Sequence, residues 1–128
     1  GERLLVDAEL VSEDTISRRN YPAVHAYACA PLAAVGIPPE SGDLRFEQKR
    51  DEHHEGLYMV TRHFHARSDL HAIFCGKEYL IQKGERIALN FQYIFTPQSF
   101  DWLLTEHAGL EVVEQCVEGR YCTAVCRK

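Results

Sequence analysis

Alternating apolar and polar positions dominate the middle of the chain and predict strands. Residues 57–66 alternate between two faces and are rich in β-forming side chains. Shorter segments at 70–75, 77–82 and 85–95 continue the pattern, with turn residues between them. Together these segments predict an antiparallel meander. The opening residues 4–10 begin with three consecutive apolar side chains, which is typical of a strand buried on both faces of a sheet.

Two helices are expected before the meander. Ser12 and Asp14 are suitable N-caps for a first helix, which Pro22 interrupts. A second apolar stretch, residues 24–35, predicts a helix that ends at a glycine and two prolines. The polar and charged residues 41–55 predict a loop with at most a short strand.

The end of the chain combines one helix with two strands. Thr96 as N-cap and Pro97 at the first helical position predict a helix start. An apolar stripe at helical spacing follows this start and comprises Phe100, Leu103, Leu104 and Ala108. Residues 110–117 and 121–126 then predict a hairpin with a two-residue turn at Glu118-Gly119.

Composition and charge exclude several classes of protein. A length of 128 residues is near the commonest size of one domain, and a hydrophobic fraction of 45% is ordinary for a globular protein. A net charge of −5 and scattered basic residues lack the footprint of a nucleic-acid binder. No run approaches the roughly 18–20 apolar residues of a membrane span, and no signal peptide opens the chain, so a cytoplasmic location without a membrane partner is expected. Gly1 in place of Met suggests that native residues precede this segment.

Cysteines and histidines are candidate nucleophiles or metal ligands. The five cysteines are odd in number and form no CxxC, so reduced thiols packed as small hydrophobic residues are favoured over a disulfide scaffold. The predicted hairpin places Cys116 opposite Tyr121 and away from any other cysteine. His63 and His65 share a strand face, but no cysteine or carboxylate is spaced to complete a tetrahedral site. Surface histidines are therefore the favoured interpretation, and no metal is assigned.

The two ends of the chain resemble parts of a class I methyltransferase domain. The strand AGLEVVEQ (108–115), a tight turn and the strand YCTAVC (121–126) resemble the close of that domain, where the final strand inserts beside the fifth. The opening GERLLVDAEL (1–10) looks like that fifth strand. The order and spacing of further segments are similar to the C-terminal half of the histidine-specific methyltransferases, which make the trimethylated histidine of the ergothioneine pathway. Those segments are the Tyr21 region, GLYMV (56–60), GERIALNFQYIFTPQSF (84–100) and the closing AGLEVVE…TAVCRK.

This resemblance implies an α/β or α+β fold. It would be a partial class I methyltransferase sheet that carries an antiparallel meander as its substrate module. Residues 1–128 would form a single domain, with residues 21–95 as the substrate-side insertion and residues 96–128 as the last helix and hairpin.

The resemblance also implies four substrate-binding positions. A tyrosine and a methionine of the family fall on Tyr21 and Met59, which keep the residue type. A glutamate and a serine of the family fall on Asn90 and Gln92. An imidazole N–H donates a charge-assisted bond to a carboxylate, whereas neutral amides both donate and accept. These positions could therefore hold an amide, a hydroxyl or a carboxylate, and histidine itself is a doubtful substrate. No catalytic residue is assigned.

S-adenosylmethionine would be the cofactor of the full-length enzyme, but this chain is not expected to bind it alone. Its glycines are isolated, and no GxGxG or GxGxxG occurs. The expected function is the substrate-binding part of a methyltransferase acting on a histidine-like or other small amino-acid substrate. The alternative is a non-catalytic small-molecule-binding or dimerisation domain derived from that fold. Since the opening strand lacks a predicted neighbour on one side, homo-oligomers through this strand are also expected.

Overall fold

Eight strands and two helices make up the structure, a computed structural model that describes residues 1–128. In chain order the strands are β1 (Arg3–Glu9), β2 (Gly42–Arg50), β3 (Leu57–Ala66), β4 (Leu70–Phe74), β5 (Lys77–Ile81), β6 (Arg86–Phe95), β7 (Glu111–Glu118) and β8 (Tyr121–Arg127). The helices are α1 (Pro22–Ala34) and α2 (Pro97–Trp102), and short 3₁₀ turns lie at Ser17–Arg19 and Pro39–Ser41. The strands form three sheets and pair mostly antiparallel, so the fold class is α+β.

Contacts divide the chain into two compact units. The first unit comprises residues 1–13, 49–59 and 93–128, and the second comprises residues 14–48 and 60–92. Each unit has its own cluster of buried apolar side chains. No helix is both long and apolar enough to cross a membrane.

The first unit contains a three-stranded sheet in the order β1-β8-β7. The central strand, β8, runs antiparallel to both neighbours, with Ala124 opposite Val6 on one side and opposite Gln115 on the other. The final strand therefore lies directly beside the first strand. A bulge interrupts the pairing of β7 between Val112 and Glu114.

The turn between β7 and β8 lies one residue later than predicted. Glu118 closes the hairpin opposite Tyr121, so the two turn residues are Gly119 and Arg120. Gly119 has φ of +58°, and a glycine with positive φ at the first central position is what a type II′ turn requires. The predicted opposition of Cys116 and Tyr121 is therefore wrong, and Cys116 lies opposite Thr123.

The last helix packs on one face of this sheet. Phe100 and Leu104 are buried together with Ala8 of β1 and Cys122 of β8, and Leu103 packs against the same cluster. The predicted apolar stripe is thus confirmed at these three helical positions. It does not extend to position 108, which is exposed after the helix has ended.

Helix α2 begins at the predicted cap. The Thr96 hydroxyl accepts the N–H of Ser99 at 3.2 Å, and the Ser99 hydroxyl accepts the N–H of Thr96 at 3.0 Å, which is a reciprocal capping arrangement. The Ser99 hydroxyl also donates to the Gly56 carbonyl at 2.7 Å. This bond holds the start of the helix against the start of β3. The helix continues as a π-helical turn over Leu103–His107, which the sequence did not predict.

The second unit begins with turns where a helix was predicted. Only the 3₁₀ turn Ser17–Arg19 forms, and Tyr21 has an extended backbone with φ of −140° and ψ of 159°. A residue before proline is disfavoured in the helical region, so the predicted first helix is wrong. Pro22 begins α1 instead of interrupting a helix, because its fixed φ suits the first helical position.

Strand β2 lies where a loop was predicted. Two arginines from outside the strand contact its residues: the Arg62 guanidinium lies 5.8 Å from the centroid of the Phe46 ring, and Arg67 forms an ion pair with Asp43. The hydrogen bond from Arg67 holds the pKa of the Asp43 carboxyl below its usual value. Leu44 of the same strand packs against the buried cluster of the second unit. Charged positions obscure the alternation in the sequence, which explains the missed strand.

The predicted meander is divided between two sheets. Strand β3 lies between β2 and β6, whereas β4 and β5 pair only with each other. The β4–β5 turn is formed by Cys75 and Gly76, whose φ angles are 49° and 73°. Two positive φ angles are typical of a type I′ turn, which matches the right-handed twist of the strands.

Phe64 of β3 lies at the centre of the second buried cluster. It is fully buried with Cys29 and Leu32 of α1 and with Ala72 of β4. Gly42 makes this packing possible, since a Cβ atom there would lie 2.3 Å from the Cζ atom of Phe64. The start of β2 can therefore approach the ring only as glycine.

Candidate substrate site

Asn90 and Gln92 occupy alternate positions on β6 and so share one face of the strand. Asn90 is exposed and Gln92 is half-buried. The Gln92 side-chain carbonyl (Oε1) accepts a hydrogen bond from Nη2 of Arg19 at 3.5 Å. The structure therefore places a guanidinium next to one of the two predicted amide positions.

Arg19 is the residue that the sequence interpretation missed. It ends the 3₁₀ turn and is only 6% exposed. Its second guanidinium nitrogen, Nη1, donates to the carbonyl of Thr15, which is itself buried. Burying a guanidinium is costly unless its donors are satisfied, so these bonds explain how the charge is tolerated. The adjacent arginines at 18 and 19 are visible in the sequence, but nothing local indicates that one of them is buried.

Tyr21 lies two residues beyond Arg19, at the N-cap of α1. Its side chain is about half exposed, at 51%. The segment around it is held by the Arg19–Gln92 bond and by a contact of 3.1 Å between Asn20 Oδ1 and His25 Nε2. Two predicted positions, Tyr21 and Gln92, thus lie in the second unit, and Gln92 is bonded to a residue two positions before Tyr21.

Met59 belongs to the first unit, on β3. It is half-buried and lines a small cavity of about 250 Å³ together with Tyr93 and the residues of 49–53. The residues that line the cavity include charges of both signs. Met59 therefore lies among charged and aromatic side chains of the first unit, whereas Tyr21 and Gln92 belong to the second unit.

A larger cleft of about 600 Å³ also lies in the first unit. Its lining includes Arg50, His54, Tyr58, Gln98 and Trp102. The rings of His54 and Trp102 contact each other, with centroids 4.0 Å apart and planes inclined by 31°. His54 therefore has an aromatic partner at this cleft.

Asp51 shapes the loop that borders the cleft. Its Oδ1 accepts the backbone N–H groups of His53 and His54, each at 2.9 Å. These bonds stabilise the charged form and hold the pKa of the Asp51 carboxyl below its usual value. The cleft wall is thus built by backbone hydrogen bonding as well as by side-chain packing.

His63 is buried, so the interpretation of this residue as a surface histidine is wrong. Its Nε2 atom lies 3.4 Å from Glu47 Oε2, and the same carboxylate oxygen is 3.6 Å from Nη1 of Arg86. The described residues contain no group of three or more histidines, cysteines or carboxylates placed to hold one metal ion. His63 is therefore a buried side chain in contact with a carboxylate that also lies near Arg86.

All five cysteines are free thiols. Cys29, Cys122 and Cys126 are buried in the two apolar clusters, which confirms small-hydrophobe packing for these three. Burial raises the pKa of the Cys29 thiol, which opposes a role as a nucleophile. Cys75 and Cys116 are exposed.

No protein-family model matches the sequence, and no curated protein matches it significantly.

Proposed function

We propose that this chain is the substrate-side part of an S-adenosylmethionine-dependent methyltransferase that acts on a small amino-acid-like molecule. The observation that carries the proposal is the order β1-β8-β7, with the last strand antiparallel between its neighbours. This order agrees with the arrangement that the sequence resemblance implies for the end of such a domain. The hydrogen bond between Arg19 and Gln92 supports a polar binding site in the second unit.

The chain's own residues do not fit the cofactor. Its strands pair mainly as antiparallel hairpins, and no parallel strand–glycine-rich turn–helix unit occurs among residues 1–128. Such a unit is what holds a nucleotide cofactor at a helix N-terminus. We therefore expect a calorimetric titration of this chain with S-adenosylmethionine to show no micromolar binding. Micromolar affinity would contradict the assignment of this chain to the substrate side.

The side chains at the site favour a substrate with a polar, uncharged or anionic side chain over histidine. The family's carboxylate position holds the amide of Asn90, and a guanidinium adjoins Gln92. Without the carboxylate, an imidazolium loses the charge-assisted bond that would select it. Glutamine and glutamate therefore fit the available donors and acceptors better than histidine.

The proposal is tested by binding of free amino acids to the ¹⁵N-labelled chain. Glutamine, glutamate and histidine are added to about 10 mM, which populates a site of millimolar affinity. We expect glutamine or glutamate to shift the side-chain amide signals of Gln92 and the backbone signal of Tyr21 more than histidine does. Gln92→Ala should abolish the shifts.

Gln115→Ala is the matched control, because Gln115 is a half-buried strand glutamine in the first unit. It should leave the binding intact. Absence of shifts with every amino acid, or equal loss in both variants, would count against the substrate site. Activity is tested with this chain in its native polypeptide, where methyl transfer to the amino acid that binds is expected. Failure of transfer to any amino acid would contradict the methyltransferase assignment.

A non-catalytic small-molecule-binding or dimerisation domain is the second candidate. It is favoured by one observation, the unpaired outer edge of β1. Binding of amino acids at Gln92 without transfer in the native polypeptide would support this candidate over the enzyme.

A further inference from the structure

Strand β1 has one open edge. It pairs with β8 on one side only. The N–H of Leu10 bonds to the carbonyl of Arg120 on the β8 side at 2.8 Å, so even-numbered residues of β1 direct their backbone groups to β8. Alternate residues of a strand point their N–H and C=O groups to opposite sides. The groups of Arg3, Leu5 and Asp7 therefore face the open edge.

The open edge is exposed at its beginning and covered at its end. The side chains of Leu4 and Leu5 are 51% and 70% exposed. At the other end, Phe95 forms a parallel bridge with Leu10, and its carbonyl accepts the N–H of Val11 at 2.8 Å. A strand added to β1 can therefore extend no further than Glu9.

The opposite edge of the same sheet is protected. Strand β7 carries a bulge between Val112 and Glu114. It also carries acidic residues at 111, 114 and 118. Bulges and charges are the features that block edge-to-edge pairing in natural sheets. Strand β1 has no bulge along its pairing with β8, so the two edges differ in their capacity to accept a strand.

We propose that the open edge of β1 pairs antiparallel with β1 of a second copy of this chain. The two-fold axis passes beside Leu5, which exchanges two backbone hydrogen bonds with Leu5 of the second copy. Arg3 then lies opposite Asp7 of the second copy, and the symmetry repeats this pair. The result is a continuous six-stranded sheet in the order β7-β8-β1-β1-β8-β7, and it closes as a symmetric dimer.

Charge complementarity selects the second copy as the occupant. Within its own sheet Arg3 lies directly opposite Arg127, and like charges placed opposite each other are destabilising. The pairing supplies Arg3 with a carboxylate, Asp7 of the second copy, on its other side. In β1, Arg3 and Asp7 lie at equal distances on either side of Leu5. Two copies of the strand paired at Leu5 therefore form two Arg3–Asp7 pairs.

The alternative registers are less favourable. A shift of two residues that places Arg3 opposite Glu9 of the second copy would bring the copy's chain against Phe95, which already occupies the position beside Leu10. A shift of two residues the other way places Arg3 opposite Leu5 and forms no charge pair. In the chosen register Leu4 adjoins Val6 of the second copy, so the apolar face that packs on α2 becomes continuous.

This inference concerns the chain of 128 residues and does not depend on the proposed enzymatic function. The interface consists of one strand edge, below the standard size of stable protein interfaces. We therefore expect weak association, measured by sedimentation velocity from about 10 µM to 1 mM. The weight-average mass should rise with concentration from 14.7 kDa toward twice that value.

Charge exchange provides the main test. Arg3→Asp places two acidic residues opposite each other, and Asp7→Arg places two arginines opposite each other. The two-fold symmetry repeats each of these like-charge pairs, so each variant should weaken association about tenfold. The double variant Arg3→Asp/Asp7→Arg restores both pairs and should associate as the wild type does. Glu118→Arg, a charge change on the protected edge, is the control and should have no effect.

Leu5→Pro provides a second test that keeps the fold. The N–H of Leu5 points away from β8, so proline removes no bond within the sheet, as is usual for proline on edge strands. The variant should keep the circular dichroism spectrum of the wild type and stay monomeric. The proposal is overturned if the wild type is monomeric at every concentration. It is equally overturned if Leu5→Pro still associates, or if the double charge exchange fails to restore the dimer.

Discussion

Gly42→Ala tests whether the close approach of β2 to Phe64 organises the second unit. The added Cβ atom would lie 2.3 Å from Phe64 Cζ and 2.4 Å from the His65 carbonyl oxygen. Ordinary contacts between carbon atoms are about 3.5–4.0 Å, so the ring must move by more than about 1 Å. Phe64 is fully buried, and a close-packed core has no space for such a movement.

The cost is expected at the upper end for overpacked cores, about 3 kcal/mol. The ring alone could rotate away from the new methyl group, but the His65 carbonyl belongs to the backbone of β3, so β2 and β3 must separate. For a chain of this length a loss of about 3 kcal/mol lowers the melting temperature by about 10 °C. Thermal unfolding followed by circular dichroism measures this change.

One double variant separates the sources of this cost. Gly42 has an extended backbone with φ of −158°, which alanine adopts without strain, so the cost of Gly42→Ala comes from the steric clash alone. Phe64→Leu combined with Gly42→Ala removes the clash with the ring and retains the clash with the carbonyl, so it should recover part of the loss. If Gly42→Ala melts within about 2 °C of the wild type, the close approach does not stabilise the second unit and the reasoning fails.

Three further predictions follow from single residues. Cys75→Asn should raise the free energy of unfolding in urea by about 0.5–1 kcal/mol, because asparagine tolerates the positive φ of the turn better than cysteine. An unchanged urea midpoint would show that the backbone at Cys75 is not strained. Ser99→Ala should cost about 1–2 kcal/mol, since it removes the cap and the buried bond to the Gly56 carbonyl, whereas the exposed Ser68→Ala should be neutral. The lowered pKa of Asp51 means that its bonds stabilise the loop above the ordinary carboxyl pKa and are lost as the pH falls through the folded-state value. The stability difference between wild type and Asp51→Ala should therefore vanish at low pH, and a difference that persists there would refute the assignment.

Elements with a clear local signal are predicted correctly from the sequence. Strand β3 has the predicted bounds, and α2 starts at the predicted Thr96 cap, because alternation and capping depend on neighbouring residues only. Strand β2 is missed because charged residues surround Leu44 and Phe46, and the partners of Asp43 and Phe46 come from distant parts of the sequence. The separation of the β4–β5 hairpin from the other strands is likewise a non-local property, which alternation cannot indicate.

The candidate site shows the same limit at the level of single side chains. Alternation correctly places Asn90 and Gln92 on one face of β6, but it does not indicate which of them is enclosed. That depends on Arg19, which is 73 positions away in the sequence and reaches Gln92 from a 3₁₀ turn. The turn exists because Pro22 forces Tyr21 into an extended conformation and ends the predicted first helix. Had residues 12–21 formed a regular helix, the backbone at Tyr21 would have been helical, and α1 would have lacked its extended cap. The restriction that Pro22 places on the backbone of Tyr21 therefore excludes the predicted first helix and also shapes the segment that carries Arg19 and Tyr21. Substitution of Pro22 should disturb both the start of α1 and the Arg19–Gln92 contact.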